Sequence, residues 1–410
     1  MTLIASTNIM KKLSSKNIVS PKGFKAAGLH CGLKHKKKDL AVLVSDVPAS
    51  VAGVFTTNVV QAAPLKVTKE VVYSTKKMQA MIVNSGNANA CTGKQGVKDA
   101  FAMQALTAEK LGIDANLIGV CSTGVIGEII KMEPVTNGIA QLEPQDSLES
   151  AIDFAQAIMT TDTVMKNTSY NTMIDGKEVV MAGVAKGSGM IEPNMATMLG
   201  FITTDANIES DVLQAALSDI TNLTFNAITV DGDTSTNDTV VVMANGLAGN
   251  ESLTPAHPDW QNFYYTLKTV AQDLAKMIAK DGEGATKLIE VEVEGAISDA
   301  EARKIAKTVV GSPLVKTAVF GCDANWGRII CAIGYSGATV DPEKITIQIG
   351  SATMVENGEP IPFSEDELIQ ILNMHEVKIY VSLGVGEGRG HAWGCDLTYD
   401  YVQINASYRS

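Results

Sequence analysis

The strongest constraint on the fold is a set of short, almost uninterrupted apolar runs that alternate with segments of helical periodicity. Residues 40–44 (LAVLV) and 78–83 (MQAMIV) are two such runs, and polar or turn residues bound each of them. Short apolar runs with these boundaries predict buried β-strands. Because the apolar residues are mainly aliphatic, the runs predict sheets that are covered by helices.

Helical periodicity is clearest over residues 258–280. Its apolar side chains recur at alternating spacings of four and three, at Trp260, Tyr264, Leu267, Ala271, Leu274 and Ile278. That spacing forms a single stripe on a helix. Residues 97–111 predict a second helix, which Gly112 ends. Alternating strands and helices predict an α/β, or layered α+β, fold.

The chain has 410 residues, which predicts two or three structural units. Further strands are predicted over residues 51–60, 117–121, 226–230, 239–243, 288–293, 345–349 and 377–383. Further helices are predicted over residues 147–159 and 211–220. The glycine-rich middle, residues 183–201, has apolar flanks and is therefore expected to enter the core.

Composition excludes several kinds of partner. The net charge of −12 opposes nucleic acids and anionic membranes, which favour basic surfaces. The basic run at residues 34–38 is interpreted as a solvated turn. No apolar window reaches the roughly 18 residues of a membrane span, and the N-terminus lacks the apolar core of a signal peptide. The six scattered cysteines are typical of reduced thiols, so we expect a cytoplasmic protein.

Familiar catalytic and cofactor motifs are absent from the sequence, which has no GxSxG, HExxH or Walker A segment. Histidine and cysteine spacings predict no metal site. Residues 384–390 are glycine-rich, but no helix pattern opens within them, so a turn between strands is favoured over a dinucleotide loop. Residues 231–238 (DGDTSTND) lack the glutamate of a calcium loop, with Val242 in its place, and favour a hydrogen-bonded turn between two strands.

One candidate nucleophile remains, a threonine in the glycine-rich middle. A hydroxyl needs an adjacent base, and an N-terminal threonine supplies one through its own α-amine, which titrates near pH ~8. An internal threonine gains that amine when its hydroxyl attacks the preceding carbonyl, shifts the acyl group from nitrogen to oxygen and is released by water. The small Ala196 leaves room for such an attack by Thr197. Taken alone, an Ala-Thr pair is usually structural.

The residues around Thr197 resemble a known family. Residues 186–199 (KGSGMIEPNMATML) closely resemble the self-cleavage motif of the ornithine acetyltransferase family of arginine biosynthesis. Further segments resemble the same family in order along the chain, at residues 23–28, 57–64, 84–93, 231–238, 325–328 and 404–410. The resemblance therefore covers essentially the whole chain.

This resemblance implies a self-processed acyltransferase. Cleavage before Thr197 would give an α chain, residues 1–196, and a β chain, residues 197–410, which stay associated. The threonine would take the acetyl group of N2-acetylornithine, release ornithine and pass the acetyl group to glutamate in a ping-pong cycle. Thr123 and Gly124 match the oxyanion element of the family and would stabilise the tetrahedral intermediate.

The resemblance also implies a set of substrate contacts, namely Thr160, Lys186, Thr197, Glu283, Asn405 and Ser410. A substrate with a carboxylate and an ammonium group requires a buried cation, a buried anion and several hydroxyl or amide groups. Lys186 would serve the carboxylate or assist the nucleophile, and Glu283 would face the ammonium, although the sequence leaves these pairings open. Ser410 replaces a threonine that is common in the family and keeps the hydroxyl.

No cofactor or metal is implied, but some members of the family also use acetyl-CoA as a donor. The family implies an assembly of two α and two β chains. Two alternatives remain open at this point. One is an N-terminal threonine amidohydrolase or aminopeptidase, in which water resolves the acyl-enzyme, and the other is a binding protein whose bond between residues 196 and 197 stays intact.

Overall fold

The structure is a computed structural model, which describes residues 10–14, 17–192 and 198–407. The chain divides into two compact units, as its length predicts. Unit 1 comprises Met1–Gly187, Asn194–Thr224 and Thr234–Leu274, and unit 2 comprises Ser188–Pro193, Phe225–Asp233 and Ala275–Ser410. The mixture of sheets and helices confirms the predicted α/β class.

The described residues form fifteen strands and eleven α-helices. The strands are β1 (Met10–Lys12), β2 (Phe24–Leu29), β3 (Leu40–Phe55), β4 (Lys77–Asn87), β5 (Ile118–Val125), β6 (Lys166–Ile174), β7 (Lys177–Lys186), β8 (Leu199–Thr204), β9 (Thr239–Ala244), β10 (Leu288–Ala296), β11 (Thr346–Ile349), β12 (Ala352–Glu356), β13 (Glu359–Pro360), β14 (Glu376–Ser382) and β15 (Gly388–Cys395). The helices are α1 (Pro64–Glu70), α2 (Gly93–Leu111), α3 (Met132–Gln141), α4 (Leu148–Ile158), α5 (Ser210–Leu223), α6 (Trp260–Lys280), α7 (Asp299–Gly311), α8 (Pro313–Phe320), α9 (Trp326–Tyr335), α10 (Glu365–Leu372) and α11 (Tyr399–Ala406).

Unit 1 is built on a nine-stranded sheet. Eight strands follow the order β1–β6–β7–β8–β9–β3–β4–β5, and β2 pairs with β3 outside that path. The pairs β8–β9 and β4–β5 are parallel, and the other neighbours are antiparallel. The apolar runs at residues 40–44 and 78–83 lie in β3 and β4 and are largely buried, as predicted.

One strand prediction was wrong in its extent. Residues 51–60 do not form a second strand, because β3 continues from Leu40 to Phe55 with an irregularity between Val44 and Ala49. Such a bulge bends a strand without ending it. The two predicted segments are therefore halves of one long strand, and the chain leaves the sheet after residue 55.

The predicted helices agree closely with the structure. α2 ends at Gly112, whose φ of 65° is left-handed, and Ser147 caps α4 by accepting a hydrogen bond from the N–H of Ser150. In α6, Leu267 and Ile278 of the apolar stripe are fully buried. Over the residues that the structure describes, no helix is both long and apolar enough to cross a membrane.

Unit 2 contains a six-stranded sheet in the order β13–β12–β11–β14–β10–β15. Helix α7 packs against β10 and β15. A Cβ at Gly390 of β15 would lie 2.4 Å from the backbone nitrogen of Arg303 in α7, so glycine permits this close approach. The glycine-rich residues 384–390 thus form the predicted turn between strands and the beginning of β15.

Residues 226–230 do not form the predicted strand. Phe225–Ala227 make one 3₁₀ turn, and Ile228 forms only an isolated bridge with Trp393. The Thr229 N–H donates to the carbonyl of Trp393, while the Val230 N–H donates to that of Ile191. Because the N–H groups of Thr229 and Val230 donate to two different segments, residues 226–230 do not form the repeated hydrogen bonds of a β-ladder.

The predicted chain boundary after residue 196 does not coincide with the boundary between the units. Strands β1–β7 precede residue 196, whereas β8 and β9 follow it, and all of them belong to one sheet. In that sheet β8 and β9 lie between β7 and β3. A β chain that begins at residue 197 would therefore supply two interior strands of unit 1.

Candidate active site

The carboxyl end of β5 carries the predicted oxyanion residues. Thr123 and Gly124 lie within the strand rather than in a turn, because β5 extends to Val125. Gly124 pairs with Gly86 of β4 and has a φ of 135°, which favours glycine. A Cβ at Gly124 would lie 2.4 Å from the carbonyl carbon of Gly86. Glycine is therefore required where these two strands meet.

The side chain of Asn237 holds this end of β5. Its buried amide donates to the carbonyl of Ser122 at 2.8 Å and to that of Ala88 at 2.6 Å, which uses both of its N–H groups. The Ser122 hydroxyl donates to the side chain of Asn84 on β4 at 2.5 Å. The residue directly before Thr123 is thus held through its backbone and its side chain.

A buried carboxylate, Asp162, brings together two predicted site residues, Thr160 and Lys186. It accepts the N–H of Thr160 at 2.9 Å and that of Gly187 at 2.7 Å, and it forms an ion pair of 2.7 Å with Lys166. Burial alone would raise the pKa of Asp162, but the ammonium groups of Lys166 and Lys186 hold that pKa below its usual value. The charged form of Asp162 is therefore stabilised by two lysines.

Asp238 is a second buried carboxyl near Lys186. Burial raises the pKa of Asp238 well above its ordinary value, although Lys186 and a hydrogen bond from the Met198 N–H act in the opposite direction. Its Oδ2 atom has no hydrogen-bond partner among the described residues. The Met198 carbonyl accepts the N–H of Thr239 at 3.0 Å. Both backbone polar groups of Met198 are therefore engaged by neighbouring residues of one segment.

Unit 2 brings together the predicted residues Glu283 and Asn405. The side-chain amide of Asn405 in α11 donates to the Glu283 carboxylate at 2.8 Å, and the Glu283 N–H donates to the carbonyl of Ser188 at 2.9 Å. A Cβ at Gly189 would lie 2.3 Å from the carboxyl carbon of Glu283. Glycine at this position therefore leaves space for the carboxylate.

The carboxylate of Asp231 binds the backbone of the glycine-rich segment that contains Gly189. It accepts the N–H of Met190 at 2.6 Å and that of Ile191 at 2.8 Å. The hydroxyl of Tyr401 donates to it at 3.3 Å. The acidic motif at residues 231–238 is an irregular connection in which the N–H of Asp233 donates to Asp231 at 3.3 Å. It leads into β9 but follows the irregular residues 226–230, so it does not join two strands as predicted.

Three predicted positions, Ala196, Thr197 and Ser410, lie outside the described residues. The other predicted residues fall into two groups, one in each unit. The unit 1 group is Thr123, Gly124, Thr160 and Lys186, and the unit 2 group is Glu283 and Asn405.

Within the described ranges, a single group of side chains has the spacing of metal ligands, namely Asp175, His257 and Asp259. Each of these three side chains already accepts a hydrogen bond from a backbone N–H. Asp259 accepts the N–H of Asp175 at 2.9 Å, Asp175 accepts that of Glu251 at 2.8 Å, and His257 Nδ1 accepts that of Asp259 at 3.0 Å. These hydrogen bonds stabilise the turns near the start of α6, which explains why the three side chains lie together.

The sequence did not identify two charged residues that lie near the site. Asp162 follows Thr160 by two positions, but no motif marks it as a buried anion. Lys34 belongs to the run predicted to be a solvated turn, yet it is half-buried, and its ammonium donates to the carbonyls of Met159 at 2.5 Å and Lys38 at 3.0 Å. Burial lowers the pKa of Lys34 to about 8. Only the tertiary structure reveals either environment.

Comparison with known proteins gives matches along the whole chain. The model of the ArgJ family matches residues 25–410. The arginine biosynthesis bifunctional protein ArgJ of Halalkalibacterium halodurans is 60% identical over 411 residues, and that of Geobacillus kaustophilus is 58% identical over 410, with 100% of both chains covered in each case. The crystal structure of an ArgJ from Bacillus halodurans is similar with 65% identity and a TM-score of 0.51, and it covers 52% of this chain and 100% of its own.

The fold and these matches define an acyltransferase of arginine biosynthesis. The chain belongs to the ArgJ family, as the sequence motifs predicted.

Proposed function

We propose that the chain cleaves itself between Ala196 and Thr197, and that the new N-terminal threonine transfers acetyl from N2-acetylornithine to glutamate. The threonine hydroxyl would give its proton to the α-amine and attack the acetyl carbonyl. The amide bond would break, and the departing ornithine nitrogen would take up that proton. Glutamate would then attack the acetyl ester, which releases N-acetylglutamate and restores the hydroxyl.

The main support for this proposal is that two consecutive residues contact two parts of the proposed active site, the oxyanion strand and the residue that follows the nucleophile. Asn237 holds the carbonyl of Ser122 at the oxyanion strand, and Asp238 receives the N–H of Met198, which follows the proposed nucleophile. An oxyanion needs donors that are already in position when charge develops, and the loss of one donor typically costs about 10²–10³ in rate. Gly124 has the close strand contact that such fixed geometry requires.

Two further facts support cleavage into associated chains. The solved relative from Bacillus halodurans aligns over its whole length with 52% of this chain, and residues 197–410 make up a similar share, just over half. In unit 1, β8 and β9 lie between strands that precede residue 196, so hydrogen bonds would hold the cleaved chains together.

The proposed substrate contacts remain Thr160, Lys186, Thr197, Glu283, Asn405 and Ser410. In unit 1, Asp162 accepts the N–H of Thr160, and the ammonium of Lys186 contributes to the lowered pKa of this carboxylate. In unit 2, Asn405 orients the Glu283 carboxylate. A lysine and a carboxylate are the residue types that a substrate with a carboxylate and an ammonium group requires.

We also propose that acetyl-CoA serves as a second acetyl donor and that no cofactor or metal is required. The similar relatives are named bifunctional proteins of arginine biosynthesis, which supports a second activity. The active assembly would contain two α and two β chains and work in the cytoplasm. The six free thiols agree with a reducing compartment.

Replacement of the nucleophile tests the proposal. We expect Thr197→Ala to remain a single chain and to lose ornithine formation, whereas Thr197→Ser should cleave and retain partial activity because it keeps a hydroxyl. Denaturing electrophoresis and an ornithine assay measure both properties. An active wild-type preparation that runs as one full-length band would contradict self-cleavage.

Dependence on the acceptor separates the transferase from an amidohydrolase. N2-acetylornithine turnover should require glutamate and give equal amounts of ornithine and N-acetylglutamate. Release of acetate at the same rate without glutamate would favour the amidohydrolase alternative. A parallel assay with acetyl-CoA and glutamate, without N2-acetylornithine, tests the second donor.

A further inference from the structure

The residues just before β9 make more long-range contacts than a simple turn requires. Asn237 and Asp238 are buried, with about 5% and 3% of their surfaces exposed. The Asn237 amide holds Ser122 and Ala88, as described above, and the Asp238 carbonyl accepts the N–H of Thr56 at 3.1 Å. Two consecutive residues thus bind several separate segments of unit 1.

We propose that Asn237 and Asp238 are positioning residues, which set the oxyanion strand and the backbone of Met198 in register with each other. Asn237 fixes the strand that carries Thr123, and Asp238 fixes the amide that follows the nucleophile. This inference rests on the proposed chemistry of Thr197 and assigns to these two residues no direct contact with substrate.

The backbone of Met198 has little freedom in this arrangement. Its carbonyl accepts the N–H of Thr239, its N–H donates to the Asp238 carboxyl, and the next residue, Leu199, is paired with Thr239 in the parallel ladder. The Met198 nitrogen is covalently bound to the carbonyl of residue 197, and a peptide unit is planar. These contacts therefore restrain the backbone nitrogen through which Met198 is joined to the preceding residue.

The chemistry of Asp238 suits an uncharged acceptor rather than an ionic anchor. Its Oδ2 has no hydrogen-bond partner among the described residues, and burial of the carboxyl favours the protonated form. Acceptance of one N–H needs a single oxygen and no negative charge. An asparagine, which has the same shape and a neutral acceptor oxygen, should therefore replace this residue.

A pair of variants with similar shape tests the role of Asp238. Asp238→Asn keeps the acceptor, whereas Asp238→Leu keeps the approximate volume and removes it. Asp99 provides a matched control, because it is also buried, and its Oδ2 also has no hydrogen-bond partner among the residues described. Asp99 lies in α2 and bonds to Gln95. For each variant we would measure the rate of self-cleavage, kcat, KM for N2-acetylornithine and Tm.

We expect Asp238→Asn to cleave and turn over within about threefold of the wild type, a difference smaller than one ordinary hydrogen bond. Asp238→Leu should lower the cleavage rate and kcat by about 100-fold, the typical effect of a 1 Å misplacement, with KM nearly unchanged. Asp99→Leu should lower Tm without either kinetic effect. Asn237→Ala tests the other half of the pair and should also lower kcat rather than raise KM.

Two results would overturn the positioning role. One is an Asp238→Leu variant that cleaves and turns over like the wild type. The other is an Asp238→Asn variant that is as inactive as Asp238→Leu at a temperature where both are folded, since the carboxyl itself would then be required. If Asp238→Leu does not fold, Asp238→Ala and Asn237→Ala provide the same comparison. An uncleaved but active wild type would instead contradict the proposed function itself.

Discussion

Replacement of Gly124 by alanine would place a methyl group where the backbone of β4 already lies. The new Cβ would be 2.4 Å from the carbonyl carbon of Gly86 and 2.5 Å from the nitrogen of Asn87. Ordinary van der Waals contact begins at 3.4 Å. Because these are backbone atoms, no side-chain rotation relieves the overlap, and β4 and β5 must separate by about 1 Å in a close-packed interior.

The expected effect has a structural and a catalytic component. A φ of 135° is costly for alanine, by about 1–3 kcal/mol, and overpacking adds about 1–3 kcal/mol. The free energy of unfolding should therefore fall by about 2–6 kcal/mol. A shift of about 1 Å at β5 should misplace the N–H that is proposed to stabilise the oxyanion, and it should lower kcat by about 10²–10³.

Gly127→Ala is the matched control for this variant. Gly127 also has a positive φ, of 86°, but a Cβ there would meet nothing within 4 Å. It should therefore show the conformational cost without the steric overlap, and it should leave kcat close to the wild-type value. Urea denaturation measures the free energies, and ornithine release measures kcat.

The reasoning would be refuted by a Gly124→Ala variant that is no less stable than Gly127→Ala and keeps kcat within about tenfold of the wild type. That result would mean that β4 and β5 adjust to an added methyl group, so that close strand contact does not fix the oxyanion geometry. A loss of stability equal to that of the control, combined with a large loss of kcat, would instead assign the effect to a local change in the direction of the residue 124 N–H, without separation of the strands.

The buried ions and the unit 2 pair lead to further predictions. Asp162→Ala removes the carboxylate from the fully buried ion pair with Lys166 and should cost about 3–5 kcal/mol in urea denaturation, more than the double change with Lys166→Met. The pKa of Asp162 is lower in the folded than in the unfolded state. The charged carboxylate therefore stabilises the fold above the unfolded pKa of about 3.9, and this stabilisation is lost as the pH falls through the folded pKa. On acidification, the wild type should consequently lose more stability than Asp162→Asn. Glu283→Gln should raise KM for N2-acetylornithine at least about tenfold, the effect of one lost charged hydrogen bond. Asn405→Ala removes a neutral amide that also orients Glu283, so it should raise KM less. A KM for Glu283→Gln equal to that of the wild type would remove Glu283 from the substrate contacts.

Elements that depend on local pattern could be predicted from the sequence. The stripe along α6 and the glycine that ends α2 are set by residues within one helix, and the structure contains both. The same holds for the apolar runs of β3 and β4. Each of these signals comes from side chains or backbone angles only a few positions apart.

Features that depend on distant partners could not be predicted. Residues 51–55 continue β3 because they pair with β9, almost two hundred positions away, and residues 226–230 fail to form a strand because their donors serve unrelated segments. Asp162 and Asp238 illustrate the same limit at the site. Both are buried aspartates near Lys186. The pKa of Asp162 is lowered because its lysine partners outweigh burial, whereas the pKa of Asp238 is raised because burial outweighs its neighbours, and the sequence identifies neither balance.

The topology of unit 1 determines the order in which folding and the proposed cleavage must occur. β8 pairs with β7, and β9 pairs with β3, so both strands after residue 197 are interior strands of a sheet that also contains β1–β7. In an intact chain the short connection between β7 and β8 brings these strands together at a low entropic cost, whereas separate chains would first have to associate. The anchors of Met198, in Asp238 and Thr239, likewise form only when β9 is in place. Self-cleavage that depends on those anchors must therefore follow formation of the sheet, and the sheet then holds the two products together.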